Sequence, residues 1–287
     1  MYSVVKATLD DQEPVISFLL QHLGGREDAY RRIFRFSSHF CIDESNCPPP
    51  GFCIKGDDGS IAGFIGFLAS RPAWLADRWL VNMTSWAVSA NARSLSLKLL
   101  LEATRQENWI ITNYSATEAV QAILPRFQFH QIDNAEVSLS TVIPGIFGGG
   151  RALFVRLGQA AIDHINDVDE NRVLQQHFDA GAVIMYVPGS GRSYVFFRKR
   201  WGRMHALQFM HASFGPSQIL IKDWKALAAV AFIRFRAARV IMDERFLPIG
   251  VVPAERKPRA MFVKGLGEGD TVPDRAYSEP IQSLGVF

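Results

Sequence analysis

The chain has 287 residues, 48% hydrophobic and 21% charged, too apolar for a disordered protein and long enough for one or two buried cores. Its formal charge of +3, from 31 basic and 28 acidic residues, argues against a dedicated nucleic-acid binder, which would carry a basic stripe. No run of about 18 uncharged apolar residues occurs, which argues against a membrane span; Met1-Tyr2-Ser3-Val4-Val5-Lys6 lacks the plan of a signal peptide, so a cytoplasmic location is expected.

In chain order, Val4–Thr8 reads as a strand. Asp10 or Asp11 caps a helix reaching Leu23, with Val15, Phe18, Leu19 and Leu23 as its apolar stripe. Asp28–Phe36 reads as a second helix. Phe52–Ile54 and Ile61–Ala69 form a hairpin around Asp57-Asp58-Gly59. Gly63 and Gly66, inside that hairpin, mark close backbone packing. Trp79–Val88 is a strand, Ser94–Arg105 a helix with a wide leucine face, Trp109–Thr112 a strand and Thr117–Leu124 a helix. Glu136–Ile143 closes the first half as its last strand. The order β-α-α-β-β-β-α-β-α-β indicates one mixed sheet flanked by helices.

Residues 144–150, rich in glycine after Pro144, read as a linker. Residues 1–150 hold 12 basic and 15 acidic residues, and residues 151–287 hold 19 and 13. The second half repeats the first at an offset of 130. Gly51, Ile54, Gly59, Ser60 and Phe67 recur as Gly181, Ile184, Gly189, Ser190 and Phe197, and Trp109–Asn113 lies over Arg239–Asp243.

The most informative segment is Ala87-Val88-Ser89-Ala90-Asn91-Ala92-Arg93-Ser94-Leu95-Ser96. A strand ends at Val88, and small residues then open an apolar helix. Free backbone N–H groups and the positive end of a helix dipole make an anion site there, and Arg93 adds charge. This segment resembles the acyl-coenzyme A signature of the GNAT N-acyltransferase superfamily, a strand ending in Val followed by Gln/Arg-x-x-Gly-x-Gly/Ala at a helix start. Asn91 stands at the Gln/Arg position, and Ser94 and Ser96 replace the two small residues. The element order of residues 1–143 also matches the family, as does Ala122–Phe129 after the fifth strand.

The resemblance implies an α/β fold of two GNAT-like mixed sheets flanked by helices, in tandem. Residues 1–143 would be the acyl-coenzyme A domain, 144–150 the linker and 151–287 a degenerate second copy. Acyl-coenzyme A, acetyl or longer, would be the donor, held by Ala87, Val88, Asn91, Arg93, Ser94, Leu95 and Ser96, with no metal. Acyl transfer to an amine also needs a base near the amine and an acid for the departing thiolate. The family's acid, a tyrosine, aligns with Leu124, so Tyr114, beside Asn113, becomes the candidate. Asn82 and Ser85 on the fourth strand, and His205, His211 and Asp243 in the second half, are candidates for the acceptor. The plainer reading of His205 and His211 is as strand histidines satisfied by hydrogen bonds.

At the 130-residue offset, Arg93, Ser94 and Ser96 map onto Asp223, Trp224 and Ala226, a set that repels and blocks a pyrophosphate. The basic second half, including Lys257-Pro258-Arg259, would suit an anionic small-molecule acceptor or serve as a solvated face. His39, Cys41, Cys47 and Cys53 lack the close C-x-x-C pair of structural zinc. Two functions follow: an N-acyltransferase acting on a small-molecule amine, or a non-catalytic module of the same fold that senses acyl-coenzyme A or binds protein.

Overall fold

The computed structural model describes residues 1–39, 47–71, 78–143, 154–179, 181–188, 191–201, 204–210, 220–247 and 250–267. The chain divides into two compact units: Met1–Ile132 with a segment starting at Met261, and Asp133–Ala260.

The first unit contains β1 (Tyr2–Lys6), α1 (Gln12–Leu23), α2 (Glu27–His39), β2 (Gly51–Gly56), β3 (Ile61–Ser70), β4 (Trp79–Val88), α3 (Ser96–Thr104), β5 (Trp109–Asn113), α4 (Glu118–Gln121) and β6 (His130–Ile132). Val15, Ile16, Phe18 and Leu19 of α1 share a buried cluster with Ile33 and Phe34 of α2 and with Cys53, Phe64 and Ala87 of the sheet. The two glycines of β3 mark close packing, as read from the sequence. A Cβ on Gly63 would stand 2.6 Å from the Ile54 side chain, and one on Gly66 would stand 2.9 Å from Phe64 and 3.2 Å from Ile33. The helix expected over Thr117–Leu124 is interrupted: α4 ends at Gln121, and a separate 3-10 turn covers Leu124–Phe127. Pro125 in that turn has no N–H to continue an α-helical ladder.

The second unit contains β7 (Ala135–Ser140), β8 (Arg156–Leu157), α5 (Gln159–Ile162), α6 (Val168–Asp179), β9 (Val183–Val187), β10 (Arg192–Trp201), β11 (Met204–Met210), α7 (Leu220–Phe235), β12 (Ala237–Asp243) and β13 (Glu255–Pro258). The last strand, β14 (Met261–Lys264), returns to the first unit.

Each unit has a seven-stranded mixed sheet, in the orders β1-β2-β3-β4-β5-β14-β6 and β8-β9-β10-β11-β12-β7-β13. In each, four consecutive strands lead to a parallel partner, and a strand distant in sequence sits between that partner and the edge. The strand expected to close the first sheet, Glu136–Ile143, is thereby corrected. It runs over Ala135–Ser140 and pairs with β12 and β13 in the second sheet. The cause is side-chain burial: Val137 and Leu139 are within the second core with Met185, Phe196, Leu227 and Val240. The corresponding place in the first sheet belongs to β14, whose Met261, Phe262 and Val263 are all buried. The compact units therefore divide at Ile132, and not at the expected boundary of residue 143. The proposed linker, residues 144–150, lies outside the described residues.

The 130-residue offset holds at β12, whose Ala237–Asp243 spans the counterpart of Trp109–Asn113. It fails at the fourth strand. Leu80 pairs with Ile110 in the first unit, whereas Val240 pairs with Leu207 where the offset would place Met210. Among the described residues no helix is long and apolar enough to cross a membrane.

Candidate functional site

β4 and β5 run parallel for only four rungs, from Trp79–Trp109 to Asn82–Thr112. Asn82 and Thr112 are fully buried at the last rung, where the Thr112 hydroxyl donates to Asn82 Oδ1 at 3.2 Å. β5 ends one residue later, at Asn113, while β4 continues to Val88. From Met83 onward, no described strand pairs with the β5-facing edge of β4. Thus the sheet has an opening at its centre.

The backbone of β4 is shaped for this opening. Its pairing with β3 shifts between Phe64–Ala87 and Gly66–Thr84, so Ser85 and Trp86 together oppose Ile65 in a β-bulge. Ser85 has φ +51°, a left-handed conformation uncommon for a residue with a side chain. Beyond the bulge, Ser89 N–H donates to the Ala62 carbonyl at 2.9 Å. Antiparallel alternation then turns the N–H and C=O of Val88 away from β3, toward the open edge. Ala87 turns toward β3 and is buried.

The helical segment after β4 starts earlier than expected. A 3-10 turn covers Ala90–Leu95, capped at Ser89, and α3 follows from Ser96 to Thr104. Arg93, Ser94 and Leu95 lie within the turn, and Ser96 N–H donates to the Arg93 carbonyl. The free N–H groups therefore belong to the start of the turn, at Ala90 and Asn91, and not to Ser94. The Ser89 hydroxyl donates to the Ala62 carbonyl at 2.8 Å, and Asn91 Nδ2 donates to the Tyr2 hydroxyl at 2.8 Å, fixing this entry. Arg93 and Ser94 are exposed, and Leu95 and Ser96 half-buried. Arg93 has no acidic partner among the described residues.

Asn113 and Tyr114 stand at the end of β5. Asn113 is buried, pairs with Phe262 of β14, and its Oδ1 accepts the Ser115 N–H at 3.1 Å. Tyr114 is only 3% exposed, so an acid role would require its hydroxyl to reach the opening from within the packed unit. Leu124 is fully buried and supplies no proton. Two further residues have no signal in the motif. Trp86, in the bulge, holds its Nε1 out of water with no hydrogen-bond partner among the described residues. Phe262 borders the site from a segment almost 150 residues further along the chain, a relation that only the strand register reveals.

The acceptor candidates of the second unit are not gathered into one described site. His205 lies in β11, where only the backbone is described, and His211 lies outside the described residues. The Asp243 carboxylate caps a 3-10 turn. It accepts from the Arg245 backbone N–H at 2.9 Å, from its guanidinium at 2.6 and 3.0 Å, and from Asn134 Nδ2 at 2.7 Å. The basic run is also paired: Arg256 with Glu244, Lys257 with Glu255 and Arg259 with Glu136.

Among the described residues the second unit shows no counterpart of the β4 bulge. β11 pairs with β10 in unbroken register, without a bulge. Its described pairing with β12 reaches Gln208, and residues 211–219, which follow β11, lie outside the described residues. Asp223 and Trp224, near the start of α7, are buried, and the Tyr194 hydroxyl donates to Asp223 at 2.7 Å. Among the described residues, no group of three His, Cys, Asp or Glu could hold a metal ion.

No family model and no curated protein matches this sequence. Solved structures do share its fold. A GCN5-related N-acetyltransferase from Kribbella flavida is 13% identical, with a TM-score of 0.59 over 92% of this chain and 72% of that one. A putative acetyltransferase from Pyrococcus horikoshii is 14% identical, with a TM-score of 0.57 over 94% and 92%. A GCN5-related N-acetyltransferase from Anabaena variabilis is 11% identical, with a TM-score of 0.57 over 91% and 72%. The chain thus has the mixed α/β fold of the GCN5-related acetyltransferases.

Proposed function

We propose that the first unit binds an acyl-coenzyme A at the opening between β4 and β5 and transfers its acyl group to the amine of a small molecule. The observation that carries this reading is the unpaired edge of β4, which starts at a bulge and runs directly into a helical N-terminus. An exposed strand edge recognises an extended chain that carries amides, by adding it as a further strand. The pantetheine arm of coenzyme A is such a chain, and Val88 presents its N–H and C=O on that side. The N–H groups at Ala90 and Asn91, with the Arg93 guanidinium nearby in sequence, suit the pyrophosphate. Ser94 and Leu95 continue the same turn and Ser96 opens α3, and the two serines are small enough to let a phosphate approach.

In this reading the amine nitrogen attacks the thioester carbonyl carbon. The C–N bond forms and the C–S bond breaks, the attacking nitrogen gives up its proton through water, and the leaving thiolate takes up a proton. The Val88 N–H, the donor on the open edge, stabilises the charge developing on the carbonyl oxygen and leaves its C=O for the pantetheine, while Ala87 turns toward β3 and takes no part. Tyr114 is the proposed proton donor. Asn82, fully buried, positions the opening through Thr112, and Ser85 faces the acceptor. The ion pairs of Arg256, Lys257 and Arg259 remove the specific reason for an anionic acceptor, so the acceptor is proposed only as an amine. We further propose that the second unit is a copy of the same fold without a cofactor site, and that the protein acts in the cytoplasm.

A thiol-release assay with acetyl- and longer acyl-coenzyme A against a panel of amines tests the reading. Release that depends on the amine, and that slows at least tenfold in Tyr114→Phe with binding unchanged, supports it. The burial of Tyr114 and the leucine at position 124 favour a second reading, a non-catalytic module that binds the thioester. Binding without any amine-dependent release would select that one.

A further inference from the structure

We infer that neither unit completes its sheet from one continuous stretch of chain, and that the β5 side of the candidate site depends on a strand whose sequence follows the whole second unit. β14 lies between β5 and β6, antiparallel to both, with Phe262 against Asn113 on one side and Gln131 on the other. The exchange is reciprocal. β7, which follows β6 in sequence, lies between β12 and β13 of the second sheet. The chain leaves the first sheet through Asp133-Asn134 and returns through Arg259-Ala260, so each crossing has two residues.

The crossings are fastened to each other. Arg259 N–H donates to the Asn134 carbonyl at 2.8 Å. Asn134 Oδ1 accepts the Ala135 N–H at 2.8 Å, and its Nδ2 donates to Asp243. Asp243 is in turn held by Arg245, and the Arg259 guanidinium bonds Glu136 at 2.9 Å. This network gives Asp243 and the paired arginine a purpose other than binding an acceptor. Met261, Phe262 and Val263 are each at most 1% exposed, so the first core is incomplete without them. The second unit, through the strand that follows it, is thereby required by the first.

The test uses the full chain with a tobacco etch virus protease site inserted between Gly148 and Gly149, folded first and then cleaved. The two pieces should co-elute at the size of the uncut 32.1 kDa chain and separate only in denaturant. Hydrogen exchange of residues 261–264 should stay within threefold of the uncut chain. Proline at Val137 or Val263, central in a ladder on both sides, should let the cleaved pieces separate. Separation of the cleaved wild type into two folded halves would overturn the inference. So would co-elution that survives both prolines. No ligand enters this experiment, so failure of the acyl-donor reading would leave its outcome unchanged.

Discussion

The Tyr194 hydroxyl donates a 2.7 Å hydrogen bond to the Asp223 carboxylate, and both side chains are buried near the start of α7. At the 130-residue offset Asp223 takes the place of Arg93. A carboxylate of the chain itself therefore stands in the first turn of α7. Burial, reinforced by Asp223, pushes the tyrosine well above its ordinary pKa. Tyr194→Phe leaves the carboxylate without that donor and should cost roughly 2–4 kcal/mol, more than Asp223→Asn, which keeps a polar partner. Urea denaturation of the two variants checks the order. Neither variant should add a second acyl-coenzyme A site, because the bulge is also missing from β11.

Ser85 offers a backbone test of the opening. Its φ of +51° suits glycine, which has no Cβ to crowd the carbonyl. Ser85→Gly should keep the fold and change stability by less than about 1 kcal/mol, since relieved strain is offset by a more flexible unfolded chain. Ser85→Val should lower stability by roughly 1–3 kcal/mol, because a β-branched side chain is poorly tolerated there. Calorimetric melting of the two variants separates these outcomes. A valine variant as stable as wild type would mean that the bulge is not held in this conformation.

Much of the first unit was legible from local patterns. Val15, Phe18 and Leu19 announced α1, and the Asp57-Asp58-Gly59 turn announced the β2–β3 hairpin. The alternation of Ala135, Val137 and Leu139 announced a strand but not its sheet. Both sheets have a vacant place beside a parallel strand, and the choice between them rests on contacts with residues 50 to 100 positions away. β14 was not legible at all, because four residues after Pro258 show too little periodicity. The strand end running into a helix start was legible in Ala87–Ser96, but that start lies at Ala90 and not at Ser94. Ser89 caps the helical segment, and its own hydroxyl and Asn91 are tied to Ala62 and Tyr2, partners far back in the chain. The bulge is invisible in sequence because Ser85 and Trp86 give no glycine signal.

His177 should set an acid limit on the second unit. It is fully buried on α6, and burial pulls its pKa from 6.5 down to about 3. The unfolded chain therefore takes up a proton that the folded chain refuses. Stability attributed to this residue is complete above about pH 6.5 and falls as the pH drops toward 3, by about 2 kcal/mol at pH 5. Urea denaturation at pH 7.5 and pH 5 checks this. His177→Leu should lose less stability than wild type between the two pH values, and an equal loss would assign the acid limit to other groups.

Cys53 should be chemically silent in the folded protein. It is buried in the first core, and burial pushes its thiol up to about 12. The thiolate is the reactive form. A thiol reagent at pH 8 should modify Cys53 only after denaturant is added, as followed by peptide mass.

The most direct measurement is a calorimetric titration of the full chain with acetyl-coenzyme A and a longer acyl-coenzyme A, repeated on Arg93→Glu. Arg93 is exposed, so the change should leave stability within about 0.5 kcal/mol of wild type. The open β4 edge and the Arg93 turn predict one thioester bound per chain, with affinity at least tenfold weaker in the variant. Binding of two thioesters per chain, or none at millimolar concentration, would contradict the assignment of a single cofactor site to the first unit.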